Sequence, residues 1–163
     1  MSAEFPPVFK EIVVDAPVER AFRVFTAGFD RWWPREHHIL EAPLARAVLE
    51  PHAGGRWYEV AEDGSQCDWG RVLVWDPPKR LVLAWQLNGL WQYDPALVTE
   101  LELRFVPLGA MQTRVELEHR DMERFGDMAA ATRGALDSPQ GWITHLTLFA
   151  EAATAPENAA VGQ

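Results

Sequence analysis

The chain has 163 residues, with 15 Lys+Arg against 24 Asp+Glu, a formal charge of −9 with histidine neutral. At this length a single domain is expected, able to bury roughly two-thirds of the surface its unfolded form exposes without disulfide or metal staples. The acidic balance, with no basic cluster, argues against nucleic acid and anionic membrane surfaces as partners, because both call for Lys/Arg to displace counterions from phosphates.

Val8 to Val14 is rich in β-branched residues and reads as a strand. Asp15-Ala16-Pro17 follows, where Asp15 or Ala16 caps a helix and Pro17 sits in its first turn. Val18, Ala21, Phe22 and Phe25 fall at i, i+3, i+4 and i+7, one apolar stripe, before Gly28 and a second short helix, Phe29–Trp33, closed by Pro34. From residue 43 to 119 short apolar stretches are parted by Pro51, Gly54-Gly55, Asp63-Gly64, Asp76-Pro77-Pro78, Asp94-Pro95 and Pro107-Leu108-Gly109, which is the spacing of an antiparallel sheet. In the last strand Met111, Thr113, Val115, Leu117 and His119 alternate with polar residues, giving one dry face. Thr99, Leu101, Leu103 and Phe105 alternate in the same way in its hairpin partner. Ser138-Pro139 reads as an N-cap with proline at the first helical position, opening a helix from Trp142 to about Ala153 with Trp142, His145, Leu146 and Phe149 on one face. The chain is expected to form one domain over 1–153, with 154–163 a disordered tail too poor in apolar residues to fold.

The single Cys67 can form no internal disulfide, the first residues lack the basic-then-apolar order of a signal peptide, and a run such as Leu81–Trp85 is too short to span a bilayer. A cytoplasmic protein without a membrane span is therefore expected. The element order, strand, two helices, six strands and a long helix, is an α+β arrangement in which a curved antiparallel sheet wraps the C-terminal helix. A twisted sheet cannot press flat on one helix, so the apolar space between them is either filled by side chains or left as a cavity.

Four stretches carry a resemblance. Gly54–Glu59, Trp69–Val72 running into Asp76–Val82 and Trp85, Thr113–His119, and Gly141-Trp142 with Leu146 and Phe149 resemble the activator-of-heat-shock-protein-90-ATPase-like branch of the SRPBCC (START and birch-pollen-allergen-like) superfamily over residues 8 to 153. The resemblance implies the helix-grip fold, seven antiparallel strands around a long C-terminal helix with a deep hydrophobic cavity between them. It also carries an association with the stress response. The superfamily spans lipid carriers, polyketide cyclases and hydroxylase components, so it fixes no single activity.

Eight tryptophans are many for filler, since each indole N–H wants a partner. Trp75 and Trp85 read as strand core. Trp32 and Trp33 beside the expected cavity mouth, and Trp91 in the Asn88–Trp91 loop, are divided evenly between a pocket role and packing. The residues expected to wall the ligand cavity are those three with Trp69 and Trp85, the inward positions Leu101, Leu103, Val115 and Leu117, and Trp142, His145 and Phe149 of the last helix. His119 and His145, each on an apolar face, join them as candidate catalytic groups able to transfer protons near neutral pH. The plainer reading, favoured two to one, is that each is a hydrogen-bonded structural residue. Arg71 alternates with Trp69, Leu73 and Trp75, which points it inward toward a ligand carboxylate, whereas Arg56 and Arg104 read as solvated. Glu36-His37-His38 reads as exposed loop, since adjacent side chains diverge and no third metal ligand follows; neither metal nor cofactor is expected.

The leading function is binding of a small hydrophobic or aromatic molecule between the sheet and the C-terminal helix. The alternatives are a cyclase- or hydrolase-like enzyme using His119 and His145, and a chaperone-ATPase-activating module. The last is disfavoured because the co-chaperones of this family carry an additional domain. A homodimer is compatible with the resemblance, but no interface can be identified from the sequence.

Overall fold

Residues 5–154 are described by a computed structural model. The elements run β1 (Val8–Val14), α1 (Val18–Thr26), α2 (Phe29–Trp32), β2 (Leu44–Leu49), β3 (Arg56–Ala61), β4 (Gln66–Asp76), β5 (Arg80–Trp85), β6 (Thr99–Gly109), β7 (Gln112–Arg120), a 3-10 segment (Met122–Met128), α3 (Ala129–Asp137) and α4 (Trp142–Thr154). Among these residues the seven strands form one antiparallel sheet in the order β1-β7-β6-β5-β4-β3-β2. β1 and β2 therefore lie at opposite edges, and the chain between them, carrying α1 and α2, must cross the sheet. The curled sheet and the C-terminal helix packed on β1, α1 and α2 make the helix-grip α+β fold.

Alternation on β6 and β7 builds the two faces. Leu101, Leu103, Phe105, Val115 and Leu117 are buried on the inner side, in registered pairs such as Leu103 with Leu117. On the outer side Glu102 lies between Arg80 (2.6 Å), Arg120 (2.7 Å) and Arg104 (3.1 Å). Partial burial alone would raise the Glu102 carboxyl, but the three guanidiniums outweigh it and hold the group at about 2. Under α1 and α4 the inner space is filled by rings: Phe25 meets Trp32, Phe149 and Phe105 at centroid distances of 5.0, 5.2 and 6.0 Å, and Phe22 meets Phe105 at 5.1 Å. Truncating a fully buried ring such as Phe149 to alanine would cost about 3–5 kcal/mol.

Several local expectations change. Pro17 is the extended N-cap of α1 and not part of its first turn. α3 has no clear sequence signal: its buried residues are only Ala129, Thr132 and Leu136, and Gly134 lies in its interior, where glycine weakens a helix by about 1 kcal/mol. Ser138 does not cap the last helix. Its hydroxyl donates to the Ala135 carbonyl at 2.7 Å and closes α3. Thr154 ends α4, and the rest of the expected disordered tail lies outside the described residues.

Candidate functional site

Beside the phenylalanine cluster, which reaches it through Phe29 stacked on Trp33 at 5.0 Å, the sheet, the α2–β2 connection, the 86–98 loop and the α3–α4 junction border a cavity of about 390 Å³. Five tryptophans from five elements wall it: Trp33 after α2, Trp69 on β4, Trp85 at the end of β5, Trp91 in the following loop and Trp142 in the first turn of α4. Trp33 lies 5.1 Å from Trp69, and Trp85 lies 5.3 Å from Trp142 and 6.3 Å from Trp91, centroid to centroid. Three of the indoles are held by their N–H groups: Trp33 Nε1 donates to the His37 carbonyl (2.8 Å), Trp69 Nε1 to Glu59 Oε1 (2.7 Å) and Trp142 Nε1 to His119 Nδ1 (3.1 Å). Tethered in this way the rings are preorganised, which lowers the entropy cost of presenting flat apolar surface to a ligand.

Two buried polar groups hold the wall. Glu59, fully buried on the inner face of β3 beside Trp57, accepts from Ile39 N (2.6 Å) and Trp69 Nε1 at Oε1 and from Leu40 N (3.1 Å) at Oε2. It thereby pins the segment after α2 to the sheet. His119 is the other. It accepts from Trp142 at Nδ1, so its Nε2–H donates to Thr99 Oγ1 (2.8 Å), and the Thr99 hydroxyl in turn donates to the Trp85 carbonyl (3.2 Å). Burial, with a smaller push from Arg120, lowers the His119 imidazole to about 3 and keeps it neutral.

His145 stands at the cavity wall, 4.6 Å from Trp33 between ring centroids, and its Nδ1 is 2.9 Å from the Gly141 carbonyl. A carbonyl only accepts, so Nδ1 carries the hydrogen and Nε2 is left as an acceptor, 2.8 Å from His37 Nδ1. Burial is the main cause that lowers His145 to about 4; His37 adds to it, while the Gly141 bond and Glu36 oppose it. Gly141 has to be glycine, because a Cβ there would lie 2.1 Å from the Leu136 carbonyl oxygen.

Of the residues expected at the cavity, the structure brings together Trp33, Trp69, Trp85, Trp91, Trp142 and His145. Trp32 and Phe149 belong to the phenylalanine cluster, and Leu101, Leu103, Val115 and Leu117 are buried in the sheet core, so none of these six lines the cavity. His119 lies behind the wall with both ring nitrogens bonded, so the expected His119–His145 pair at one pocket does not assemble. Arg71 is exposed on the outer face, bonded to Gln86 Oε1 at 3.1 Å, and does not point inward. The reason is a bulge: pairing passes from Trp57–Gly70 directly to Tyr58–Asp68, leaving Trp69 as an extra residue that resets the alternation. Gly70 within the strand was the available sign. Glu36-His37-His38, read as exposed loop, lies at the cavity rim together with Ile39, Leu87, Leu136 and Gln140. Glu59 was legible as a carboxylate sharing one strand face with Trp57 and Ala61; the His37–His145 contact, 108 residues apart in sequence, left no sequence signal.

A curled antiparallel sheet gripping a C-terminal helix beside an apolar cavity defines an SRPBCC-type helix-grip protein. The chain belongs to the "Activator of Hsp90 ATPase homolog 1-like protein" family, whose family model matches residues 15–154. Among solved structures it is similar to an anthrahydroquino-γ-pyrone synthase, at 43% identity over 90% of this chain and 96% of that one, with a TM-score of 0.64. It is also similar to CalC, a self-sacrificing resistance protein from Micromonospora echinospora, at 35% identity over 91% and 94% of the two chains, with a TM-score of 0.67. A protein from Mesorhizobium loti, 21% identical over 90% and 95% of the two chains with a TM-score of 0.64, shares the fold. Among curated proteins none matches the sequence. No helix of the described residues is long and apolar enough to cross a membrane.

Proposed function

We propose that the protein binds a planar, fused-ring aromatic polyketide in the tryptophan-walled cavity. The observation that carries this reading is the wall itself: five indoles on five separate elements around about 390 Å³, a volume within the range of about 300–1,000 Å³ of small-molecule sites. Flat rings stack or meet edge-on with other flat rings, and such pairs add about 0.5–1.5 kcal/mol each beyond area burial. A flexible acyl chain would forgo that gain. The similarity at 43% identity to a synthase named for an anthrahydroquinone-fused pyrone supports the same ligand class.

Ring closure of the bound polyketide is the second reading, favoured by the same similarity. The test is quenching of tryptophan fluorescence by alizarin, a dihydroxyanthraquinone, beside palmitate, with native mass spectrometry to count bound molecules. Saturable binding of one alizarin, weakened at least tenfold by Trp33→Ala, is expected. No quenching by alizarin up to its solubility limit, or preference for palmitate, refutes the reading.

A further inference from the structure

The rim of the cavity holds an arrangement that ligand binding alone does not require. His145, at the wall, has its Nδ1–H fixed on the Gly141 carbonyl and its Nε2 turned to His37 Nδ1 at 2.8 Å. This chain of bonds sets both tautomers in order. Because His145 Nε2 accepts, His37 Nδ1 carries a hydrogen, and in its neutral form His37 then has a lone pair on Nε2. That nitrogen bonds to no described residue, although His37 lines the cavity. The two rings lie 4.8 Å apart between centroids, with Trp33 packed on His145 and its indole N–H bonded to the His37 carbonyl, so backbone and ring of His37 are both held.

We propose that His37 is a general base at the cavity mouth for a phenolic or enolic hydroxyl of the bound aromatic, with His145 as the positioning residue that fixes its tautomer. The inference rests on the aromatic-ligand reading above. The proton passes from the ligand oxygen to His37 Nε2, leaving an oxyanion on the ring and an imidazolium whose Nδ1–H stays on His145 Nε2. An acceptor at Nδ1–H strengthens as His37 becomes positive, because hydrogen bonds from a charged donor are roughly twice as strong as neutral ones. His145 is suited to that part: burial holds it neutral at pH 7, so it does not compete for the proton. The other ionisable groups at the rim are Glu36 and His38 of the same loop; α4 supplies only His145, the α3–α4 junction supplies uncharged Ser138 and Gln140, and the β5 side supplies Trp85, Leu87 and Trp91. The exposure of His37 lets the proton leave to water. An oxyanion on a fused ring is the activated form for attack on a carbonyl or unsaturated carbon, the kind of step by which a pyrone ring closes.

Two measurements test this. Long-range proton–nitrogen NMR of the ligand-free protein at pH 7 is expected to show His145 and His37 both protonated at Nδ1; an Nε2–H tautomer at His145 overturns the proposal whatever the ligand. Visible absorption of alizarin at saturation, where lost affinity is compensated, then reports its ionisation. The bound dye is expected to ionise at least about one pH unit lower than free dye, a tenfold shift in the proton equilibrium, and His37→Gln to abolish that shift. His145→Gln, which keeps an acceptor for His37 Nδ1–H, is expected to retain most of it, and His145→Phe to lose it; equal loss in both overturns the positioning role. Alizarin bound with unshifted ionisation overturns the base while leaving the binding reading intact, and alizarin that does not bind overturns the binding reading and the base with it.

Discussion

Replacing Glu59 by glutamine exchanges one carboxylate oxygen for an NH2 group and should loosen one wall of the cavity. The carboxylate accepts three hydrogen bonds in a fully buried position, from Ile39 N and Trp69 Nε1 at one oxygen and from Leu40 N at the other. Glutamine can keep its carbonyl oxygen on the first pair, but its amide then sets two N–H donors against the Leu40 N–H. One charge-assisted bond, worth about 1.5–3 kcal/mol, is lost, and a buried donor is left without an acceptor. The opposite amide orientation is worse, because it abandons two donors. A total of about 2–4 kcal/mol follows, which in a domain of this length lowers Tm by roughly 4–16 °C. The damage should be local first: Ile39 and Leu40 amide protons should exchange faster, and alizarin affinity should fall with the Trp33–His38 segment released from the sheet. Calorimetry and hydrogen exchange on Glu59→Gln check this. A variant with unchanged Tm and equally protected Ile39 and Leu40 amides would refute the role given to this carboxylate.

Acid should destabilise the protein in a defined window. His119 and His145 are held at about 3 and about 4 when folded, below the ordinary value near 6.5, so the unfolded chain takes up protons that the folded one refuses. Stability is then flat above about pH 6.5 and falls below it, each imidazole contributing up to about 1.4 kcal/mol per pH unit until its folded value is reached. Glu102, depressed to about 2, adds a loss that begins below its ordinary value near 4.5; urea unfolding at pH 7.5, 6, 5 and 4 would show the onset, and a flat profile would count against neutral buried histidines. Arg71→Ala should leave alizarin affinity unchanged in a fluorescence titration, because Arg71 lies on the outer face; a tenfold loss would restore an inward arginine. Gly89→Ala should disturb the loop that carries Trp91, since a Cβ there would stand 2.6 Å from Met128 Cβ and 2.7 Å from Thr132 Oγ1, and weaker quenching with slower saturation would report it.

Much of the fold was legible because its periods are local. The apolar stripe of α1, the two-residue alternation of β6 and β7 and most of the proline and glycine punctuation each depend on neighbours within a few positions, and the structure has them where the spacing placed them; Pro107-Leu108-Gly109 is the exception, lying inside β6 with the turn displaced to Ala110-Met111. The failures share a cause. Arg71 was assigned by continuing an alternation through Gly70, and a single unpaired residue at Trp69 reversed it. α3 buries too few side chains to leave a stripe. Glu36-His37-His38 is the loop its sequence suggests, with Glu36 and His37 exposed, but the divergence of adjacent side chains bears on metal chelation and not on a partner from another element.

By itself the sequence determined the class of protein, an acidic α+β chain whose motif order and sheet patterning imply a helix-grip domain, and it marked Trp32, Trp33 and Trp91 as tryptophans with an undecided role. Only the tertiary structure decided how the interior is divided. Phenylalanines from α1, α2, β6 and α4 fill one part, and indoles from five elements leave the part beside it open. It also decided which histidines meet, placing His119 behind the wall and bringing His145 against His37 across 108 residues. Packing of this kind is set by side-chain volumes meeting from distant parts of the chain, and by the buried Glu59 carboxylate that draws a loop onto a strand, neither of which leaves a period in the sequence.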